Sequence, residues 1–592
     1  MKLYLLDYFE KHNSLPIINE MFVNSIMKIL CHRNVKGRPV KQEVNDLKLQ
    51  LTDFYDNNFK NLIINENLDY EHLNTILDYL TIDIITMYEN NIKLHYVKYV
   101  ERYVNVIWKK KEEIEKMKTN VKNKKLQENQ INNFCGQLRK IKNDILNITE
   151  TYTSDKEYHK QIKEMKTKII PNKKDYKKDN LFYDLQCCPQ DYLPCMIRMM
   201  KVLEQQNITI YNIFPQRTDI IPKHIKLDTT TLVHLLITDK QGTKSDYLFK
   251  GELKRNEDKI WKFFFRTERG CFKKKNYSFH HMINTDGVSC CILFIRKDMI
   301  KKRIPNNKVG FTEKYIDDIT DYTNIKNKKL VAYDPNMSDL IYCVDDNTNK
   351  AKMFRYTQNQ RRKECKIKKY SKLILKFKEE KLNGKTIIEY ETELASLNKK
   401  TLKIDEFKKY IKKKSEINNK LFSFYERYIF RKLKLNGYIN KMKNEQKMIT
   451  NFKKTYGNPK DVVIVGGDFE QRKGMSYGKE PVKGKSIRKL FRQNGYELYL
   501  VDEFRTSCKC CKCEKGNCEP FKIRKNPKPY KEGDISVHGL LSCKNCGSLW
   551  NRDVNGATNI YKIAKNIING KDRPKYLRRD KKSVMIAVIT KP

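Results

Sequence analysis

EFRTSCKCCKC, residues 503–513, and CKNCGSLWNRDVNGATNI, residues 543–560, carry the densest chemistry in the chain. Cysteines stand at 508, 510, 511 and 513, then again at 543 and 546. Two C-x-x-C knuckles joined by a loop supply four thiolates for one tetrahedral zinc, and each knuckle sets two sulfurs on one tight turn. The first knuckle reads either as Cys508 with Cys511 or as Cys510 with Cys513; the second is Cys543 with Cys546. The spacer, residues 514–542, is long for such a site, but a loop absorbs the extra length at small entropic cost. The competing explanation is a cluster of free buried thiols. FKIRKNPKPYK (521–531) in the spacer is basic and holds two prolines, which suits contact with a phosphate backbone.

Carboxylates flank this cluster. Glu503 lies near the end of the run LYLVDEF, one residue before its Phe, and Asp553 begins a helical stretch in WNRDVNGATNIYKIA. Further upstream, Asp334 follows the apolar run Leu330–Tyr333 in KKLVAYDPNMSDLIYCV, which reads as strand, turn, strand. Hydrolysis of a phosphodiester commonly uses two divalent ions about 4 Å apart. Magnesium takes carboxylate oxygens and keeps several waters, so acidic groups must converge from separate elements. Each of the three has an ordinary explanation when taken singly. Aspartate before Pro335 starts turns, Asp553 fits a helix N-cap, and Glu503 fits a surface carboxylate. Their joint order, with the knuckles between the last two, points instead to a metal site.

Composition sets the partners. The 592 residues predict two to four domains, and 39% hydrophobic content is enough for packed cores. Lys and Arg total 121 against 71 Asp and Glu, a formal charge of +50. That excess costs self-repulsion, which a polyanion relieves through phosphate contacts and counterion release. The 35 Tyr and 26 Phe add stacking surfaces beside the cations. Codon bias of an AT-rich genome would also enrich Lys. The start, MKLYLLDYFEKHNSLP, turns charged too early for a secretory signal, and no apolar run reaches membrane-spanning length. The 17 Cys are therefore expected in a reducing, intracellular setting, as metal ligands rather than disulfides.

Patterning divides the chain into five expected regions. Residues 1–180 read as a helical, basic recognition region, with Tyr96, Tyr99, Val100, Tyr103, Val104 and Ile107 at spacings of three and four. PNKKDYKKDN (171–180) reads as its linker. Residues 181–327 read as a small β-barrel or sheet domain, from β-type runs at Thr231–Ile237, Tyr247–Leu253, Trp261–Arg266 and Ser289–Arg296 with turns at Asp239–Gly242 and Thr285–Gly287. Residues 328–503 hold the first part of an α/β domain, with a basic helical insertion at 365–455 broken near Asn383–Gly384. Phe424, Tyr425, Tyr428 and Phe430 are expected there as packing groups, and DVVIVGGD (461–468) and GYELYLVDEF (495–504) as buried strands. The zinc ribbon follows at 504–550, and 551–592 complete the α/β domain and tail.

The order of Asp-Pro turn, basic helices, buried strand, Glu-Phe-Arg-Thr-Ser, Cys knuckles and Asn-Arg-Asp-x-Asn-x-Ala resembles the transposon-encoded TnpB nucleases and, more closely, their eukaryotic and giant-virus relatives, the Fanzor proteins. FPQRTDIIPKHIKLDT (214–229), TDGVSCCILF (285–294) and FRYTQNQRR (354–362) extend the likeness over about 210–568, and it is weak over 1–180. The family's first knuckle begins three residues after the Thr-Ser pair, which implies Cys510 and Cys513 as partners of Cys543 and Cys546. The resemblance implies a RuvC nuclease, an RNase H-like mixed sheet flanked by helices, with a wedge-like β domain and a helical recognition domain. It implies two catalytic Mg2+, one structural Zn2+, and a guide RNA from the transposon end. The implied substrate is double-stranded DNA beside a short flanking motif, cut by a protein–RNA monomer. Asp334 and Asp553 correspond to the family's first and last aspartates. TnpB nucleases carry the glutamate on the strand that here reads VVIVGGD; one type of Fanzor places it before the Thr-Ser pair, which implies Glu503, with Asp468 and Glu470 as alternatives. Asn336 stands where a glycine often follows the Asp-Pro. A nucleus or viral factory is the expected location. A strand-joining transposase and a catalytically dead nucleic-acid-binding regulator are the competing functions.

Overall fold

A computed structural model describes residues 1–31, 42–64, 74–121, 123–217, 219–237, 247–249, 251–300, 313–346, 353–468, 483–527 and 532–579. The chain divides into two compact units: Met1–Lys302 with Lys376–Lys432, and Arg303–Leu375 with Leu433–Pro592. It is a mixed α/β protein of several helices and sheets. Strands are numbered along the chain.

The first unit is mostly helical. Its longest helix, Asn74–Ile107, buries Tyr96, Tyr99, Val100, Tyr103 and Val104 of the stripe legible in the sequence, and Ile92 before it; Ile107, the last of the stripe, is half-buried. This face packs in one core with Lys2–His12 and with Leu193–Gln205, which adds Met196, Ile197, Met199, Met200 and Leu203. The core therefore runs through residue 180, where the sequence reading drew a boundary. The supposed linker is tied down within it: Tyr176 donates to the Pro171 carbonyl at 2.5 Å, and Lys173 lies 2.6 Å from both Asp184 and Asp191.

Of the two expected forms, barrel or sheet, the structure holds a three-stranded antiparallel sheet with helices beside it. The strands are β1 (Ile225–Asp228), β2 (Tyr277–Thr285) and β3 (Cys290–Arg296), in that order. Ser289–Arg296 was read correctly as a strand and Thr285–Gly287 as its turn, but two other β-type runs are helical. Thr229–Leu236 is a helix because Asp228 caps it, accepting from the Thr231 N–H at 2.8 Å. Glu257–Phe264 is a helix with Glu257 and Asp258 in its first turn, where they complement the dipole. Leu232, Val233, Ile260 and Trp261 are buried between these elements, so tertiary burial overrides the β preference of Thr, Val and Phe. The end of the Tyr247–Leu253 run lies in a short helix, Glu252–Arg255; the Asp239–Gly242 turn lies outside the described residues. In the 376–432 part, Asn383 and Gly384, both at positive φ, turn a hairpin of β7 (Lys381–Leu382) and β8 (Lys385–Thr386). Phe424, Tyr425 and Phe430 pack as a ring cluster, whereas Tyr428, expected with them, is 58% exposed.

The second unit is built on a five-stranded mixed sheet. Its strands are β4 (Lys329–Asp334), β5 (Asp339–Val344), β6 (Phe354–Thr357), β9 (Val462–Gly467) and β10 (Glu497–Val501), in the order β10-β9-β4-β5-β6. β4, β9 and β10 are parallel, and β5 and β6 run antiparallel. Both faces are covered, which explains why the parallel strands read as continuous apolar runs. Val331, Tyr333, Val462, Ile464, Leu498 and Leu500 face Ile449, Phe452, Ile487 and Phe491. Ala332, Val463, Val465 and Val501, one residue out of phase, face Ala557, Ile560, Ile563 and Ala564 of the helix Arg552–Ile568. Asp334 shares the phase of Ala332 and so points to that helix. No helix among the described residues is long and apolar enough to cross a membrane.

Candidate metal centres

The cysteine knuckles sit on a small ribbon. β11 (Cys518–Pro520), β14 (Leu540–Cys543) and β15 (Leu549–Asn551) form an antiparallel sheet, and β12 (Ile523–Lys525) pairs with β13 (Asp534–Ser536) beyond it. The sulfurs of Cys510, Cys513, Cys543 and Cys546 all lie within 4.8 Å of one another. Cys510 is 3.7 Å from Cys546, and Cys513 is 3.6 Å from Cys543. Tetrahedral ligation at about 2.3 Å requires sulfurs about 3.8 Å apart, so this donor set can bind zinc. Cys508 and Cys511 are outside it: Cys508 is exposed, and Cys511 is buried with its N–H donated to Asn555 Oδ1 at 2.9 Å.

Local donors support the sulfurs. The Trp550 indole N–H donates to Cys510 Sγ at 3.3 Å, and the Gly516 N–H to Cys513 Sγ at 3.4 Å. The backbone N–H groups of Gly516 and Lys515 hold the Cys513 thiol down at about 6, while burial pushes Cys543 up to about 11. A Cβ on Gly516 would lie 2.4 Å from Cys543 Sγ, so a side chain there would block the site. Trp550 and Gly516 escaped the sequence reading, although their placement beside the knuckles was a usable signal.

The three predicted carboxylates meet at the carboxyl edge of the parallel strands. Asp334 ends β4, Glu503 follows β10 by two residues, and Asp553 lies in the first turn of the Arg552–Ile568 helix. In open sheets with parallel strands this edge is where ligands bind. Asp334 and Asp553 are buried. Burial, then the negative charges of Glu503 and Asp553, hold the Asp334 carboxyl well above its ordinary range. Burial, then a hydrogen bond with Asp339, raises Asp553 to about 6. Among the described residues, the four cysteines are the group of three or more donors that gather within 4.8 Å; the carboxylate oxygens stand wider.

Two glycines make the convergence sterically possible. A Cβ on Gly467, at the end of β9, would fall 1.6 Å from Glu503 Oε1. The Glu503 carboxylate therefore fills the space that a side chain on β9 would take. A Cβ on Gly556 would fall 2.4 Å from Asp334 Oδ2. Asp468, expected as an alternative to Glu503, holds the turn instead: its Oδ1 accepts from the Glu503 N–H at 3.3 Å and its Oδ2 from the Tyr315 hydroxyl at 3.1 Å. Glu470 lies outside the described residues. The Thr506 hydroxyl donates to the Glu503 carbonyl at 3.0 Å and closes the same turn.

The motif NRDVNGATN reads residue by residue as a clamp. Asn551 caps the helix by accepting from the N–H groups of Asp553 and Val554. Asn555 and Asn559 are fully buried and donate to the carbonyls of Thr506 and Lys509, which pins the first knuckle to the helix. Asn336 donates to Asp553 Oδ1 at 2.6 Å. Asp339, at the start of β5, was missed: it is buried, paired bidentately with Arg355 at 2.8 and 3.0 Å, and joins the cluster through Asp553. Its signal was a charged residue opening a buried strand, with a cationic partner in FRYTQNQRR. Beside Glu503 lies a cleft of about 510 Å³ bordered by Arg505, Arg552 and His538, by Asp468, and by Arg579 paired with Asp502.

Two family models match parts of the chain. Residues 225–296 match a domain of unknown function (DUF8286), a span that opens with β1 and closes with β3. Residues 486–560 match the Cas12f1-like, TNB domain. No curated protein matches the chain. The second match takes in Glu503, both knuckles and Asp553, and fits the TnpB/Cas12 group of nucleases at a coarse level.

Proposed function

We propose that the protein is an RNA-guided, magnesium-dependent DNA endonuclease of the Fanzor type, derived from a transposable element. The observation that carries this reading is the meeting of Asp334, Glu503 and Asp553 at one sheet edge, with glycines at 467 and 556 clearing space for two of them. The sheet order β10-β9-β4-β5-β6 with helices on both faces supports a RuvC-like domain. The +50 charge supports a polyanionic load such as an RNA–DNA heteroduplex, read through its backbone while base pairing reads sequence.

In this reading Asp334, Glu503 and Asp553 hold two magnesium ions, which supply water activation and charge stabilisation at the leaving oxygen when bound. The donor set fits, because burial and the negative charges of Glu503 and Asp553 raise the Asp334 carboxyl, and burial and Asp339 raise Asp553, a cost that a divalent charge relieves. The chain's own groups orient the cluster. Asp468 and Thr506 fix the Glu503 turn, Asn551 and Asn336 fix Asp553, and Arg355 holds Asp339 beside it. Arg505, Arg552 and Arg579 line the approach for a phosphate backbone. The protein works where its DNA lies, in a nucleus or viral factory. The test is to sequence RNA that copurifies with the full chain and supply matching double-stranded DNA with magnesium. Cutting that Asp334→Ala, Glu503→Ala and Asp553→Ala each abolish, with RNA retained, is the expected result. Full cutting by Asp553→Ala would refute the site.

A further inference from the structure

The first unit holds a cavity of about 600 Å³ that the nuclease reading does not use. FPQR, from the segment 214–229 singled out in the sequence, supplies part of its wall through Pro215, Gln216 and Arg217. Tyr88, Phe407 and Tyr410 give it aromatic surface. Arg217 and Lys414 give it positive charge, burial pulls Lys2 down to about 7 beside Glu204, and among the described residues no carboxylate lines it. Lys2 Nζ sits 3.8 Å over the Phe407 ring and donates to the Lys399 carbonyl at 2.8 Å. Burial, then the like charges of Lys399 and Arg217, pull Lys414 below its ordinary value, so cations crowd here without a counter-charge on the wall. Gln216 Nε2 is buried with no hydrogen-bond partner, a costly state for an amide donor.

An occupant must offer a flat apolar face, an anionic group and a hydrogen-bond acceptor. We propose that this cavity takes one unstacked nucleotide of a single nucleic-acid strand, its base against the aromatic wall with an acceptor edge on Gln216, and its phosphate toward Lys414 and Arg217. The volume lies in the range of small-ligand sites, and stacking on aromatic side chains with a cationic surround is the usual chemistry of single-strand recognition. The inference goes beyond the nuclease proposal and does not depend on it. RNA and DNA strands share the chemistry, so the test separates them.

The full chain, without magnesium so that cutting does not intervene, is titrated with single-stranded RNA and DNA dodecamers of one sequence. Each carries one 4-thiopyrimidine, and matched probes carry one abasic residue instead. The expected result is a crosslink to peptides holding Tyr88, Phe407 or Tyr410 from at least one polymer, and the polymer that gives it names the source. Loss of the base should weaken binding about tenfold, the scale of one stacked base. Lys414→Glu should weaken both probes, whereas Gln216→Leu should narrow the difference between base and abasic probes without erasing it, since the aromatic wall remains. Crosslinks confined to other peptides would overturn the proposal, even if a variant failed to fold, because the crosslink map uses the unmodified protein. Equal binding of base and abasic probes by the unmodified chain would overturn it as well.

Discussion

The two candidate metal centres of the second unit are built in opposite ways. The thiol site is local: its four sulfurs come from two tight turns, 3.6–3.7 Å apart in pairs, and neighbouring N–H groups stabilise the thiolates. The carboxylate site is assembled from β4, the turn after β10 and the Arg552–Ile568 helix, and the charges of Glu503 and Asp553 raise the buried Asp334. The first arrangement is a closed anchor whose metal binding is folding free energy. The second stores like-charge repulsion against a later occupant.

Breaking the anchor has the largest expected effect. Cys543→Ser should release zinc and unfold the ribbon, a loss of more than about 4 kcal/mol typical of metal-site disruption. Zinc content and proteolysis within 514–542 check this. Because Asn555 and Asn559 tie the first knuckle to the helix that carries Asp553, cutting should fall with it. A stably folded, zinc-free variant would show that the ribbon does not need the ion.

Asp334→Asn should act in the reverse sense on stability. It removes a buried charge from among Glu503 and Asp553, so the metal-free protein should melt higher, by about 0.5–2 kcal/mol, the usual trade between stability and function. Cutting should fall by about 10²- to 10³-fold or more, as for loss of a group acting on transition-state charge. Magnesium should raise the melting point of the unmodified protein and much less that of the variant. A variant that melts lower in chelator would contradict the repulsion argument.

The same contrast explains how much was legible. The knuckles were visible because their geometry is encoded in short spacing; spacing left two readings of the first knuckle, the resemblance chose Cys510 and Cys513, and these are the sulfurs that gather with Cys543 and Cys546. For the carboxylates, Asp334, Glu503 and Asp553 were placed by order and resemblance, but their supports were not. Asp339 and Arg355 meet across β5 and β6, and Asp468 turns back on Glu503 across β9 and β10, contacts that no local pattern announces. Gly466 and Gly467 read only as part of the buried run DVVIVGGD, and their meaning appears only when Tyr333 and Glu503 are seen in the space they leave. In the first unit, Thr231–Ile237 and Trp261–Arg266 misled for a related reason. Their β-branched and aromatic content suits a strand, but Asp228 and the facing apolar residues set a helix.

Those two glycines sharpen the comparison further. Gly467→Ala puts a methyl 1.6 Å from Glu503 Oε1, the end of a side chain that can swing away. Stability should change little, while a displacement of about 1 Å at a reacting centre costs about 10²-fold in rate. Gly466→Ala instead meets the buried Tyr333 ring at 2.3 Å and should cost about 1–3 kcal/mol as overpacking. Cleavage assays and melting curves on the pair should separate; parallel losses in both would mean that Gly467 is also a packing position.

The smallest effect is expected at the cysteines beside the anchor. Cys508 is exposed and lies outside the four-sulfur set, so Cys508→Ser should leave zinc content unchanged and stability within about 0.5 kcal/mol. Cys511 is buried, and burial pushes its thiol up to about 12, so it stays protonated at neutral pH, with its N–H on Asn555. Cys511→Ser should cost modest stability through packing, again with zinc retained. Loss of zinc from either variant would move the first knuckle to Cys508 and Cys511. The ribbon would then have to slide against the Asn555–Asn559 clamp, whose hydrogen bonds to Thr506 and Lys509 fix where Cys510 and Cys513 stand.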